Sequence, residues 1–275
     1  MQVFRKVVQI LSAMAVNSAF IFGQRRPDRI YQGHLKQFCS PGLNCYACPY
    51  ALTACPIGAL QNFISFSAYH FSVYIGGFLL LVGTLTGRLT CGWICPFGLY
   101  QEALHRIPTR KFKLLPAFRH IRWLMLLILV LILPYFFGKP TFCGFVCPAG
   151  ALQGGVTFGV FSPQIRALTG LLYWWKIALL IFFSIGSVFI FRLFCRIACP
   201  LGLIYGFFNR ISILGLNHDP QRCLDCGLCE KVCPVDLKPE KGEYLSGSCI
   251  RCLKCRDACP RGCFRFGVKF FSEKF

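Results

Sequence analysis

The stretch Cys91-Gly-Trp-Ile-Cys95-Pro96 has two further copies in this chain, and this repeat determines how the rest is interpreted. The copies are Cys143-Gly-Phe-Val-Cys147-Pro148 and Cys195-Arg-Ile-Ala-Cys199-Pro200, each starting 52 residues after the one before. An apolar segment precedes every copy. The repeat therefore predicts pairs of thiolates placed at the faces of a membrane.

The composition is that of a membrane protein. Hydrophobic residues make up 55% of the 275 residues and charged residues 15%, which is unlike an ordinary soluble domain. Of the 19 cysteines, seven are followed directly by proline. Iron–sulfur ligands often show this ending, and disulfides do not need it. The spacing therefore favours metal ligation over a disulfide framework.

Four apolar runs are long enough to cross the roughly 30 Å core of a bilayer, which takes about 20 residues. They cover approximately 3–23, 65–87, 120–137 and 171–194. The segment 88–122 has seven basic residues, more than the other connecting segments, so the positive-inside rule places it in the cytoplasm. The sequence predicts a multi-pass protein of a bacterial or archaeal cytoplasmic membrane, with both termini in the cytoplasm.

Beyond Asn217 the long apolar runs end and two tandem cysteine runs follow. Each has the spacing Cys-x2-Cys-x2-Cys-x3-Cys-Pro, which is typical of ferredoxins with two [4Fe–4S] clusters, where the fourth cysteine ligates the other cluster. Two zinc sites are the weaker alternative, because zinc does not require the Cys-Pro ending. Cys263 lies outside the pattern. We expect one cluster on Cys223, Cys226, Cys229 and Cys259, and another on Cys249, Cys252, Cys255 and Cys233.

The fold class follows from these two parts. Residues 1–216 are predicted to form a membrane all-α bundle of about four transmembrane helices, and 217–275 an α+β ferredoxin module. Segments 148–163 and 200–215 are too short to span and are interpreted as re-entrant or interfacial helices. Proline is favoured at the first position of a helix. The helix after each Cys-Pro thus directs its positive end at the cysteines.

The membrane cysteines predict two more clusters, one at each face. Two Cys-x3-Cys pairs on the cytoplasmic side supply four thiolates, those of Cys91, Cys95, Cys195 and Cys199. The outer face offers six thiols. The similar sequences after Cys55 and Cys147 favour a set of Cys48, Cys55, Cys143 and Cys147, with Cys45 as the next candidate. A disulfide between Cys39 and Cys45 remains an alternative in an oxidising compartment.

The formal net charge of +20 indicates anionic partners. Sixteen thiolates holding four clusters reduce it to about +12. This charge suits anionic membrane lipid and acidic redox subunits or soluble electron carriers. No segment resembles a base-reading module, so nucleic acid is not an expected partner.

A quinone site has few candidates in the sequence. Glu102, His105 and Arg106 follow the first repeat on its helix, and His34 and His70 lie near the predicted outer face. Each can exchange protons or carry charge at the membrane interface. Interfacial polar residues or helix-end cations are the alternative interpretation for all five.

The repeats and the tandem runs together resemble the membrane-bound polyferredoxins of the NapH family, relatives of the MauN and NosR/CcoG groups. The resemblance extends from about Gln61 onward and is specific at Cys91/Cys95, Cys195/Cys199 and the eight module cysteines. The middle copy and the Cys39–Cys55 segment go beyond the two-motif pattern associated with that family. The resemblance implies electron transfer between the quinone pool and a partner redox protein, as a subunit of a quinol dehydrogenase or other oxidoreductase.

Two other functions remain open from the sequence. A metal reductase or oxidase-assembly factor of the CcoG type would use surplus outer thiols, such as Cys39 and Cys45, to hold copper. A structural anchor of a larger redox complex would hold clusters that do not turn over. Clusters placed strictly at the two faces would lie close to 30 Å apart, so we expect sunken clusters or a bridging cofactor.

Overall fold

The computed structural model describes residues 1–22, 28–66, 73–167 and 169–268 and is mostly helical. The helices are α1 (Gln2–Val16), α2 (Pro56–Phe66), α3 (Val73–Thr86), α4 (Leu89–Trp93), α5 (Pro96–Leu104), α6 (Pro116–Phe137), α7 (Thr141–Phe145), α8 (148–161), α9 (Pro163–Ala167), α10 (Leu171–Phe189), α11 (Leu193–Ile197), α12 (Pro200–Phe207), α13 (Leu228–Lys231) and α14 (Lys254–Ala258). Short 3-10 helices cover Ala19–Phe22, His34–Gln37, Pro220–Arg222, Pro239–Lys241 and Glu243–Leu245.

Two of the described helices are long and apolar enough to cross a membrane. They are α6, with 22 residues and a mean hydropathy of 2.0, and α10, with 19 residues and a mean hydropathy of 1.7. The other two predicted spans contain shorter helices, α1 with 15 residues and α3 with 14. At 1.5 Å per residue these reach only about 20 Å. The expectation of four transmembrane helices is therefore not confirmed.

Helices begin directly after the Cys-Pro steps, as the sequence predicted. Proline is the first residue of α2, α5, α8 and α12. Cys95, Cys147 and Cys199 precede these helices in extended backbone conformations. Segment 200–215 is helical only up to Phe207, because a strand begins at Leu214.

The C-terminal module is closed by a two-stranded antiparallel sheet. Strand β1 (Leu214–His218) pairs with β2 (Phe264–Val268), so the two ends of the module lie side by side. The module is also fixed to the helices. Arg251 is 1% exposed and donates hydrogen bonds to backbone carbonyls of the helical part and of β1. Arg196 forms an ion pair of 2.7 Å with Asp236 of the module.

The main core surrounds the three Cys-x3-Cys copies. Phe97, Phe142 and Phe194 follow or precede the cysteines of different copies and are almost fully buried. Phe194 makes an edge-to-face contact with Phe97, with ring centroids 5.4 Å apart. It also packs against Phe142. These aromatic contacts bring copies that are far apart in sequence into one core.

Candidate functional site

The two predicted ferredoxin sets each line a separate cavity of the module. The first module site contains Cys223, Cys226, Cys229 and Cys259. The second contains Cys233, Cys249, Cys252 and Cys255. The structure thus brings together the residues that the crossed spacing predicted, with the fourth cysteine of each run in the other cavity. Cys263, expected to be a spectator, also lines the first cavity.

Burial makes the thiol of Cys249, in the second module site, a poor acid on its own. The pKa of Cys249 is raised to about 12 by burial, although the backbone N–H of Arg251 points at its sulfur from 3.4 Å. Such a thiol is neutral unless a metal supplies positive charge, since coordination deprotonates it. Cys249 is therefore suited to ligating a metal and not to acting as a free nucleophile.

The first and third repeat copies form one buried group, the central site. Its four thiols interact electrostatically with one another, and all four side chains are buried. The residues are the predicted ones, Cys91, Cys95, Cys195 and Cys199. The backbone N–H of Gly202, in the helix of the third copy, donates to Cys199 Sγ at 3.4 Å. The side-chain Nε2 of Gln101, in the helix of the first copy, donates to Cys195 Sγ at 3.0 Å.

The central site has an approximate two-fold arrangement built on arginine. Arg88 and Arg192 each lie three residues before the first cysteine of their own copy. Arg192 donates to the carbonyl of Cys91, and Arg88 to the carbonyl of Cys195 at 3.4 Å. Each arginine therefore fixes the other copy's loop. Sequence analysis missed both residues, although the shared Arg-x-x-Cys spacing was a usable signal.

The arginines also explain two glycines of the Cys-Pro-x-Gly pattern. A Cβ atom at Gly98 would lie 3.0 Å from the guanidinium of Arg192. A Cβ atom at Gly202 would lie 3.0 Å from Nη2 of Arg88. The close approach of a buried cation to the first turn of α5 and of α12 thus requires a residue without a side chain.

Three of the Cys-Pro prolines are followed, five residues later, by a glutamine. Each of these glutamines bonds to the cysteine loop that pairs with its own copy. Gln101 accepts from the backbone N–H of Phe194 at 3.1 Å. Gln61 accepts in the same way from Phe142 at 2.9 Å and donates to Cys143 Sγ at 3.4 Å. Gln153 accepts from the N–H of Cys45 at 2.6 Å. Relative to the glutamine, Cys45 therefore has the position that Cys143 and Cys195, the first cysteines of their copies, have at the other two glutamines.

The middle copy pairs with the Cys39–Cys55 segment in the distal site. A cavity of about 310 Å³ is lined by Cys45, Cys55, Cys143 and Cys147. The expected set named Cys48 in place of Cys45. Cys48 is buried against a different cavity with Tyr50 and Gln153. The sequence ranked Cys48 ahead of Cys45, whereas the structure places Cys45 in the distal cavity and in contact with Gln153.

Lysine 176 takes the place of an arginine at the distal site. Its Nζ donates to the carbonyl of Cys143 at 3.3 Å, as Arg192 does to Cys91. Burial raises the pKa of Cys45 to about 12 and of Cys55 to about 11. Cys39 and Cys45, considered above as a disulfide or copper pair, are both free: Cys39 forms a β-bridge with Ala54 instead.

The central and distal sites are joined by two consecutive backbone amides. The N–H of Leu43 points at Cys95 Sγ of the central site at 3.4 Å. The backbone amide of Asn44 interacts with the thiol of Cys55 in the distal site. Neighbouring Cα atoms are only about 3.8 Å apart. The two sites are therefore adjacent. This agrees with the expectation of sunken clusters and differs from clusters placed strictly at two faces, about 30 Å apart.

The second module site also adjoins the central site. Gly92, between the central cysteines, packs so tightly that a Cβ atom there would lie 2.3 Å from the carbonyl oxygen of Ile250. Trp93 Nε1 donates to the carbonyl of Arg251 at 3.0 Å. Ile250 and Arg251 lie between Cys249 and Cys252 of the second module site. All four cysteine sites thus form one continuous series.

The donor sets fit iron–sulfur clusters. Each site brings four thiols together, which is the number of cysteine ligands that a [4Fe–4S] cluster takes. The N–H groups directed at the sulfurs suit an anionic cluster.

The quinone candidates Glu102, His105 and Arg106 line one cavity, but Glu102 is fully engaged. Its buried carboxylate forms ion pairs with Arg5, Lys6 and Arg192. Burial alone would raise the pKa of Glu102, but the positive charges of Arg192 and Arg5 hold it well below its usual range.

His105 and the two other histidines give little support to a proton-exchange site. Burial lowers the pKa of His105, whose Nδ1 lies 3.1 Å from the carbonyl oxygen of Ser187. His34 lies in a 3-10 helix, and His70 lies outside the described residues.

Comparisons with known proteins identify the family. A model described as a 4Fe-4S binding domain matches residues 69–114, 119–165 and 171–215, each with one Cys-x3-Cys copy. A 4Fe-4S dicluster domain matches 215–260. The middle copy, which seemed to go beyond the family pattern, is therefore a full member of the repeat.

Relatives with similar sequences are ferredoxin-type proteins. An uncharacterized protein of Methanocaldococcus jannaschii is 30% identical over 203 residues, covering 70% of this chain and 77% of the relative. The methylamine utilization ferredoxin-type protein MauN of Paracoccus denitrificans is 32% identical, over 65% of this chain and 60% of its own length. The ferredoxin-type protein NapH of Haemophilus influenzae is 28% identical, over 70% and 66%. No solved structure matches the chain. The resemblance to the NapH and MauN group is thus confirmed, and the chain belongs to the 4Fe-4S binding domain family as a ferredoxin-type electron-transfer protein.

Proposed function

We propose that this protein conducts electrons through four [4Fe–4S] clusters in a membrane, from the module to the distal site. When bound, each cluster accepts and releases one electron at a time. The observation that carries the proposal is the pair of amides at Leu43 and Asn44, which touch sulfurs of two different sites. A series without a gap is what electron transfer requires and what a purely structural anchor does not need.

The proposed ligands are four thiols at each site. In order along the series they are Cys223, Cys226, Cys229 and Cys259; Cys233, Cys249, Cys252 and Cys255; Cys91, Cys95, Cys195 and Cys199; and Cys45, Cys55, Cys143 and Cys147. The protein shields the central site from water, since all four of its cysteines are buried. The arginines and glutamines hold the cysteine loops in place.

The membrane location rests on α6 and α10, whose apolar side chains face outward: only 11% and 17% of their most apolar windows are buried. A soluble core helix would bury most of that surface. The basic segment 88–122 favours a cytoplasmic position for the module end. We propose this orientation, with α1 and α3 as the two further spans of a cytoplasmic membrane.

A quinone is the proposed electron carrier at the distal end. The distal cavity is about 310 Å³, whereas each module cavity is about 20 Å³. Tyr46, Phe158 and Tyr173 provide apolar walls, and Lys176 is a hydrogen-bond donor inside it. Mostly apolar cavities with a few polar groups are typical of small-molecule sites. The four distal cysteines line the same cavity, so the quinone would bind beside the cluster that they hold. The apolar side of this cavity suits a quinone better than the cavity around Glu102, whose carboxylate is occupied.

The number of clusters tests the proposal directly. Anaerobically purified protein should contain about sixteen irons per chain and give four [4Fe–4S] signals in a redox titration followed by EPR. Cys45→Ala should remove or convert one cluster, whereas Cys48→Ala, the matched control, should leave all four. About eight irons, or a loss in Cys48→Ala alone, would contradict the assignment.

Electron transfer needs its own experiment. In protein reconstituted into vesicles, reduction of the module sites should be followed by reduction of a quinone in the membrane. Asn44→Pro removes the amide at the join between the sites, so we expect slower transfer with the cluster content unchanged. Equal rates in both proteins would argue against this route.

A further inference from the structure

The cavity beside the second module site is strongly basic. It has a volume of about 600 Å³ and lies where α1, α5 and the module meet. Its charged lining residues are Arg5, Lys6, Arg106, Lys231, Lys254 and Glu102. Five cations therefore face one carboxylate, and Glu102 is already shared by Arg5 and Lys6.

Within the described residues, Arg106, Lys231 and Lys254 form no ion pair with a carboxylate, unlike Arg5, Lys6 and Arg196. Lys254 lies over the ring of Phe191, with Nζ 5.9 Å from the ring centre. Like charges gathered around a concave surface repel one another unless an anionic group enters.

The position of the cavity indicates what its occupant does. Cys233 and Pro234 form part of its wall, so an occupant lies against the second module site. An acidic protein that docks here brings its own redox centre close to that site, and the cations steer it during diffusion.

We propose that this cavity is the docking site for acidic side chains of a soluble electron-transfer protein. This inference rests on the proposed function, because it assigns the partner that exchanges electrons with the series at its second module site. The chemistry recognised is a cluster of carboxylates next to a redox centre. An anionic lipid headgroup is the competing occupant that the experiment must exclude.

The test measures binding of an acidic soluble two-cluster ferredoxin to the oxidised holoprotein in nanodiscs of neutral lipid. The double variant Lys231→Glu/Lys254→Glu should bind at least about tenfold more weakly, and binding should weaken with salt. Lys241→Glu, an exposed lysine of the same module outside the cavity, should bind within about twofold of the unchanged protein.

Three results would overturn the proposal: no ferredoxin binding, an equal loss in the Lys241→Glu control, or ferredoxin binding that persists in the double variant while, in parallel nanodiscs containing anionic lipid, the double variant loses bound anionic lipid. Binding to the oxidised protein needs no electron transfer. Failure here with all four EPR signals still reducible by dithionite would leave the proposed function intact.

A second inference concerns Tyr205, which replaces glutamine in the third copy. Gln61, Gln101 and Gln153 lie five residues after their prolines, and Tyr205 has the same position after Pro200. Its side chain is fully buried, and its hydroxyl has no hydrogen-bond partner among the described residues. A buried hydroxyl without a partner costs about 1–3 kcal/mol.

The surroundings of this hydroxyl point to the central site. Its strongest electrostatic neighbour is the Cys91 thiol of the central site, followed by the thiols of Cys55, Cys39 and Cys95. We infer that Tyr205 is a positioning residue that donates a hydrogen bond to the sulfur of the cluster held at the central site. Such hydrogen bonds stabilise the more negative, reduced state and raise the reduction potential.

Tyr205→Phe separates this role from simple packing. The reduction equilibrium of the central site should shift roughly tenfold toward the oxidised state, about 59 mV for one electron. Tyr100→Phe is the matched control, because its hydroxyl already pairs with Ser184 at 2.9 Å. An unchanged potential in Tyr205→Phe, or the same shift in the control, would overturn the inference.

Discussion

The central and distal sites are built from the same elements, but their cysteine loops are fixed by different numbers of cations. At the central site two buried arginines each fix the opposite loop, and Arg192 is further anchored by Glu102. At the distal site one lysine makes the equivalent contact, next to a cavity of about 310 Å³. The comparison indicates that the site in the middle of the series is rigidly packed. The distal site, at the end of the series, has open space where an electron carrier can enter.

Loss of an arginine at the central site, compared with loss of the lysine at the distal site, should give the largest difference in the free energy of unfolding. Arg192→Ala leaves the buried carboxylate of Glu102 with one partner fewer and frees the Cys91 carbonyl. We expect destabilisation of about 3–5 kcal/mol, as for other broken buried pairs. Lys176→Ala should affect only the distal site. Thermal unfolding and iron content measure both, and an equal loss of stability in the two variants would contradict the comparison.

Glycine substitutions should show the same asymmetry on a smaller scale. Gly98→Ala places a methyl group 3.0 Å from the Arg192 guanidinium, which should cost about 1–3 kcal/mol. In Gly150→Ala the nearest atom is Cys45 Sγ at 3.6 Å, an ordinary contact. Denaturant unfolding should therefore detect Gly98→Ala and hardly detect Gly150→Ala. The reverse order would show that the arginine is not the constraint.

The glutamines allow a finer comparison. Gln101→Ala removes a donor to Cys195 Sγ and leaves the buried N–H of Phe194 unpaired, at a cost of about 1–3 kcal/mol. Gln153→Ala removes the acceptor for the N–H of Cys45. EPR should show a lower potential only for the central site in the first variant, and a disturbed distal signal only in the second. A shift of both EPR signals in either variant would contradict the assignment of each glutamine to a single site.

The smallest expected effect lies at the join between module and helices. Trp93→Phe keeps the aromatic ring but loses the hydrogen bond to the Arg251 carbonyl, which contributes about 1 kcal/mol. The module should remain folded and attached, because Arg251 and the Arg196–Asp236 pair still hold it. Limited proteolysis of the segment before β1 checks this. Rapid cleavage in the variant would show that Trp93 is the principal contact.

Recurring motifs predicted the sites whose ligands all belong to a repeated motif. The module sets come from two copies of one cysteine run, the central set from two Cys-x3-Cys copies, and the helix starts from the Cys-Pro steps. The distal set was only partly predicted, because Cys45 belongs to no copy of the repeat and only the long-range contact with Gln153 distinguishes it from Cys48.

The depth of the sites was the least predictable property. Apolar runs mark where helices are, and placing cysteines at their ends assigned the clusters to opposite faces. The loop containing Gly42, Leu43 and Asn44 instead packs inward against Cys95, where a Cβ atom on Gly42 would lie 2.8 Å from its Cα. No local pattern in the sequence records that a loop is buried.

The two amides of Leu43 and Asn44 also fix the length of this loop. The N–H of Leu43 faces the central site and the amide of Asn44 faces the distal site. Inserting or deleting a single residue here would shift one amide away from its sulfur while the other keeps its place. Surface loops usually tolerate such changes in length. This loop should not, and its residue count is as much a part of the electron route as its cysteines.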